Sequence, residues 1–188
     1  MPAIMEREIK LRYDSPGSAR AAVLNLAPTP LRPRRLQSDV VFDTIDRSLA
    51  ARGEALRVRI EQGHHCVTFK SPAPHPTMKL REELETSVDD GVLIMHILTK
   101  LGFEVAFRYE KYREEFVRGD VVIAVDETPV GTFVEIEGSD DGVAGTAAAL
   151  GRGPSDYVLL SYRALFVQAC VADGVVPTDM VFPSAARD

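Results

Sequence analysis

Charged residues in this chain recur at every second position over run after run, a period that only a β-strand with one polar and one apolar face can satisfy. From Ala3 to Tyr13, Glu6, Glu8 and Lys10 fall on one side and Met5, Ile9 and Leu11 on the other, with Arg7 as the exception. Arg57, Arg59 and Glu61 oppose Leu56, Val58 and Ile60; Thr68 and Lys70 oppose Val67 and Phe69; Arg81, Glu83 and Glu85 oppose Leu80 and Leu84. Lys111 and Arg113 lie in the long strand candidate Phe103 to Arg118, Asp126 lies near the end of VVIAVDE, and Glu135 and Glu137 oppose Val134 and Ile136.

The segments between these runs carry turn and helix signals. Gln62-Gly63, Gly119-Asp120 and Pro129-Val130-Gly131 read as hairpin turns. Helices are expected over Ala19 to Leu26, Val92 to Leu101 with Gly102 as its C-cap, Asp140 to Leu150 and Ser161 to Ala172, and a helical turn over Ser48 to Arg52. Arg35 to Thr44 is a further strand, SPAPHPT (71–77) a proline loop, and the tail 173–188 irregular. The chain reads as a single α+β domain over 1–188, with barrel and outer helices at about 3–172.

A wet face is the ordinary fate of a charged strand side. Here the opposite faces are apolar enough to pack under helices, so covering them from outside turns the charged faces inward. About eight such strands close into a barrel with room for side chains or one small ligand. Carboxylates at i and i+2 on a strand stand within about 7 Å of each other, close enough to share a hard cation such as Mg²⁺ or Mn²⁺. Arginine grips phosphate oxygens in pairs and lysine supplies a compact charge. A metal-bound polyphosphate would neutralise both sets of groups together.

These residues also resemble a known family. Glu6-Arg7-Glu8-Ile9-Lys10 fits the E-x-E-x-K signature of the CYTH superfamily, the triphosphate tunnel metalloenzymes that include class IV adenylyl cyclases and thiamine triphosphatases. Phe42-Asp43-Thr44, Leu49, Arg57-x-Arg59, Thr68-x-Lys70, Arg81-x-Glu83-x-Glu85, Lys111-x-Arg113, Asp126, and Gly131 before Glu135-x-Glu137 look like its motifs in order, and Ser161-Tyr162 resembles its last helix motif. The resemblance spans Ile4 to Leu165. It implies an eight-stranded antiparallel tunnel open at both ends with helices outside. It implies metal binding by Glu6, Glu8, Glu135 and Glu137, aided by Glu83, Glu85 and Asp126. Phosphate binding falls to Lys10, Arg57, Arg59, Lys70, Arg81, Lys111 and Arg113, and by the same resemblance Lys10, Arg57, Arg59, Lys111 and Arg113 act in catalysis. A homodimer is plausible on the same ground. Tyr162 and Arg163 are equally open to a role in binding an organic group or in packing.

The leading expectation is a triphosphatase acting on inorganic, thiamine or nucleoside triphosphate. A cyclase converting ATP to cyclic AMP and a non-catalytic polyphosphate-binding module are the alternatives. A net charge of −6 argues against a nucleic-acid partner, and no apolar run reaches the length of a membrane span, so a cytoplasmic protein is expected. Cys66 and Cys170 have no paired spacing, and His64, His65, His75 and His96 no zinc spacing. Arg32, Arg34 and Arg35 read as a solvated loop.

Overall fold

The computed structural model describes the backbone of residues 4–73 and 79–183 and the side chains of residues 7–72 and 82–183. In chain order the elements are β1 (Ile4–Tyr13), α1 (Pro16–Leu24), β2 (Thr29–Thr44), α2 (Ser48–Ala51), β3 (Ala55–Glu61), β4 (His64–Ala73) and β5 (Lys79–Val88). There follow α3 (Gly91–Lys100), β6 (Phe103–Arg118), β7 (Val121–Thr128), β8 (Gly131–Glu137), α4 (Asp140–Ala149), β9 (Tyr157–Val158) and α5 (Tyr162–Ala172). The α+β class is as expected. All ladders of the sheet are antiparallel, in the order β5-β4-β3-β2-β6-β7-β8-β1-β9.

The regular closed barrel of eight strands is corrected in two respects. Among the described residues there are nine strands, because Tyr157 and Val158 add a short one against Leu11 and Lys10. Nor is the sheet closed along its length. Its margins meet only where Ile4–Glu8 of β1 pair with Lys79–Glu83 of β5. Past Glu8 that partner has run out, since β5 begins at Lys79, and β1 takes β9 on this side and β8 on the other.

β2 is longer than the sequence suggested, starting at Thr29 instead of Arg35. Its register against β6 slips between Pro30 and Arg32 and again between Arg32 and Arg35, so the prolines, which have no N–H to give, sit in bulged pairing. The cluster Arg32, Arg34 and Arg35 is therefore strand and not a solvated loop. At the other end of β2 the Asp43 carboxylate accepts N–H bonds from Leu49 at 2.9 Å and Ala50 at 3.1 Å, which sets the α2 turn after the Phe-Asp-Thr run.

Helices cover the apolar faces as the alternation requires. Ala19 and Val23 of α1 and Val143 and Ala147 of α4 pack with Ile9, Leu11, Ile123, Val125, Val134 and Ile136 into one core. Ile94, Met95 and Leu98 of α3 pack on Val40, Phe42 and Val58. Asp90 caps α3 by accepting from Leu93 N at 2.9 Å. The fifth helix departs from the expectation that all helices lie outside. Tyr162 and Leu165 of α5 pack with Phe107 and Phe133, which share the strand face of Lys111 and Arg113 on β6 and of Glu135 and Glu137 on β8, so α5 sits against the concave, charged face. The tail is not wholly irregular either. Met180 is fully buried, and its backbone bridges Glu110 N and Arg108 O at 2.9 Å each.

Candidate active site

Register decides which charged residues meet. Across β1 and β8, Glu8 stands opposite Glu137 and Lys10 opposite Glu135. Arg113 stands opposite Asp126, Arg59 opposite Asp39, Lys70 opposite Glu83, and Thr68 opposite Glu85. The concave face of the sheet encloses a cavity of ≈ 670 Å³. Six of the expected phosphate-binding cations line it: Lys10, Arg57, Arg59, Lys70, Lys111 and Arg113. Glu8, Glu83, Glu85, Glu135 and Glu137 line it too. The side chains of Glu6 and Arg81 lie outside the described residues.

The cations are positioned by buried carboxylates. Asp126, fully buried, accepts from Lys111 Nζ at 2.9 Å, from Arg113 Nε and Nη2 at 2.7 and 2.6 Å, and from Tyr162 Oη at 2.7 Å. Burial alone would raise its pKa, but Arg113 and Lys111 outweigh that and hold it well below the ordinary carboxylate range. Lys10 lies 2.9 Å from Glu8 and 3.0 Å from Glu135, and Glu135 also contacts Arg113. Lys10 and Lys111 both stand 5.2 Å from the centre of the Tyr162 ring. On the other wall, Arg59 forks onto Asp39 at 2.9 and 3.1 Å. Arg57 reaches Thr68 at 2.9 Å and Asp39 and Glu85 at 3.4 Å each, and Lys70 lies 3.0 Å from Glu83.

The acidic residues thus divide. Asp126, Glu83 and Glu85 each stand across a strand pair from a cation or hydroxyl that engages them, Arg113, Lys70 and Thr68 respectively. Glu8 and Glu137, directly opposed with like charge, are the pair that a cation would relieve. Burial first and Glu8 second push the Glu137 carboxyl upward in pKa. Among the described residues no three His, Cys, Asp or Glu side chains gather into a metal-holding group. Two carboxylates nevertheless suit Mg²⁺, which is commonly held by one or two carboxylates together with substrate phosphates and water.

A model of the CYTH domain matches residues 5–148. The chain belongs to the CYTH family. It is similar to a Methanocaldococcus jannaschii protein named "putative adenylate cyclase", 32% identical over 137 residues, or 72% of this chain and 78% of that one. A solved structure of like designation from Vibrio parahaemolyticus shares the fold at TM-score 0.75 and 21% identity, covering 87% of this chain and 98% of its own. A Hippeastrum structure, also designated as an adenylyl cyclase, matches at TM-score 0.65 and 22% identity over 92% of this chain and 97% of its own.

Several residues of this CYTH site were not singled out as site residues from sequence. Asp39 is 1% exposed and orients both Arg57 and Arg59, and Gln37 and Glu61 extend the same wall. The available signal was the parity of Arg35, Gln37 and Asp39, which continues the charged face into β2. Tyr162 proves to be a ligand of Asp126 as well as a packing residue. Among the described residues no helix is long and apolar enough to cross a membrane.

The depressed Asp126 has a consequence for acid stability. Below the ordinary Asp value of ~4 the unfolded chain binds this proton and the native protein does not. Its stabilising contribution is therefore complete above that value and is lost as pH falls toward the depressed native one. Urea unfolding between neutral and acid pH is expected to show a shallower decline in Asp126→Asn than in wild type; parallel declines would show that Asp126 is not the group responsible.

Proposed function

We propose that this CYTH protein is a divalent-metal-dependent triphosphatase whose substrate runs through the concavity of the sheet. The observation that carries the reading is the convergence of six strand-borne cations on one cavity whose wall also holds the opposed pair Glu8 and Glu137. Arg57 adds a detail: its guanidinium lines the cavity and is braced by Thr68, Asp39 and Glu85.

In this reading Arg57, Arg59 and Lys70 on one wall and Lys10, Lys111 and Arg113 on the other bind and align the phosphates. The same groups stabilise the charge that spreads over phosphoryl oxygens as the anhydride bond breaks. Asp39 and Asp126 hold the guanidinium and ammonium groups in place beforehand, which lowers the reorganisation needed at the moment of reaction. Glu8 and Glu137, with Glu6 and Glu135 beside them in the strands, would hold Mg²⁺ or Mn²⁺, which supplies Lewis-acid polarisation of phosphate oxygens when bound.

Hydrolysis is favoured by the Hippeastrum protein, which bears a cyclase designation and is described with a dominant triphosphatase activity. Cyclisation of ATP is the second reading, supported by the designation of the M. jannaschii relative. Turnover of inorganic triphosphate, thiamine triphosphate and ATP with Mg²⁺ or Mn²⁺ tests both. Orthophosphate release is the expected result; cyclic AMP with pyrophosphate would replace the hydrolase by the cyclase, and absence of any product would leave a binding module. Arg57→Ala is expected to weaken triphosphate binding at least about tenfold more than orthophosphate binding, since one charge-assisted contact is worth about 1.5–3 kcal/mol. Equal losses for the two anions in calorimetry would contradict a grip shared along the chain of phosphates.

A further inference from the structure

A guanidinium presents a rigid planar fork, whereas an ammonium is a point charge on a flexible stem, aimed by whatever packs around it. Arg113 is the first case: Nε and Nη2 fork onto the two oxygens of Asp126 at 2.7 and 2.6 Å, so one carboxylate fixes its plane. Lys111 on β6 is the second. Among the described residues its Nζ donates to Asp126 Oδ2 at 2.9 Å, and Glu135, its other acidic neighbour, lies at 3.7 Å, beyond hydrogen-bond range. One bond lets an ammonium swing about it.

Two further contacts bear on Lys111, and both come from one side chain. Tyr162, the first residue of α5, donates its hydroxyl at 2.7 Å to the same Oδ2 that Lys111 uses, and its ring centre lies 5.2 Å from Lys111 Nζ. The tyrosine is itself held fast. It is 7% exposed, its ring meets Phe133 edge-on at 5.4 Å, and Ser161 caps the helix start by accepting from Ala164 N at 3.1 Å. Strands β6 and β7 and helix α5 thus meet at one ammonium, on a lysine that lines the cavity. Packing alone asks only for the ring of Tyr162. The hydroxyl is spent on the oxygen that holds the lysine.

Resting on the reading of this cavity as a triphosphate site, we propose that Tyr162 is a positioning residue that aims the Lys111 ammonium at the phosphates. Its hydroxyl fixes the Asp126 oxygen and its ring backs the ammonium, so Lys111 meets the ligand from one direction. Arg113, already forked onto Asp126, does not depend on it.

The test is a double-mutant cycle read by calorimetric titration of the metal-free full chain with inorganic triphosphate. Tyr162→Phe keeps the ring and its packing and removes only the hydroxyl. It is expected to weaken binding about fivefold, the effect of one hydrogen bond of about 1 kcal/mol. In a Lys111→Met background the same change should cost less than about twofold, and in a Lys70→Met background, on the opposite wall, the full loss of about fivefold. A merely structural tyrosine would give one loss in all three backgrounds. Equal losses with Lys111→Met and Lys70→Met overturn the proposal, as does a Tyr162→Phe variant that binds like wild type. The stoichiometry of each titration counts folded chains, so a reduced folded fraction does not alter the affinity. Should the thermal melt show that Lys111→Met does not fold, Lys111→Gln, which keeps a donor for Asp126, takes its place with the same expectation. Absent turnover with the coupling present would remove the triphosphatase reading and support the positioning role; absent triphosphate binding in wild type would overturn both.

Discussion

Glu8→Gln is expected to lower metal-dependent turnover by more than about 100-fold while leaving the fold intact, because even outer-shell partners of a metal site cost 10–100-fold when removed. The expectation rests on register. Glu8 and Glu137 are direct cross-strand partners, and Glu8 also lies 2.9 Å from Lys10, so the substitution removes one of two opposed carboxylates without changing side-chain size. The repulsion from Glu137 that is relieved offsets the ion pair with Lys10 that is lost, and Lys10 keeps Glu135 at 3.0 Å, so the melting temperature should change little. Steady-state rates across a Mg²⁺ or Mn²⁺ titration, with circular dichroism as the fold control, check it. Wild-type rates at low metal concentration would remove Glu8 from the cation site. Glu6→Gln is expected to act in the same direction.

Asp126→Ala should cost about 3–5 kcal/mol of stability, the loss typical of removing one partner from a buried ionic cluster. Asp126 is fully buried and receives Lys111, Arg113 and Tyr162 together. Its removal leaves two buried cations facing each other and a tyrosine hydroxyl without its acceptor. Chemical denaturation reads the loss directly, and a change below about 1 kcal/mol, the value of an exposed pair, would show that the cluster is solvated and not the anchor of the basic wall. Catalysis should fall with it, since Lys111 and Arg113 take their positions from this carboxylate.

Much of this was legible in the chain itself. Alternation alone fixes the faces of β1, β3, β4 and β8, and the extents of β6 and of the α3 helix follow from Gly102, Gly119-Asp120 and the apolar run they bound. The reason is local: a period of two admits one backbone, and glycine, proline and capping residues mark its ends. The E-x-E-x-K run and the doublets after it were sufficient to point to the CYTH family that the domain match then showed. Side-chain parity likewise foretold that the six described cations would share a cavity.

What only the tertiary structure decided is pairing across strands and the place of the last helix. Sequence shows Asp126, Glu83 and Glu85 as acids on a charged face, the same as Glu8 and Glu137. The register divides them, setting Asp126 against Arg113 and Glu83 against Lys70 while Glu8 meets Glu137. Gln37 and Asp39 gained their places in the site in the same way, from partners on β3 and β6 that lie 20 residues or more along the chain. The helix α5 was legible as a helix, but its apolar stripe suits either side of a sheet. Phe107 and Phe133, apolar members of otherwise charged faces, draw it to the concave side and bring the Tyr162 hydroxyl onto Asp126. Local periodicity determines which way a side chain faces; only the assembled sheet determines what it faces.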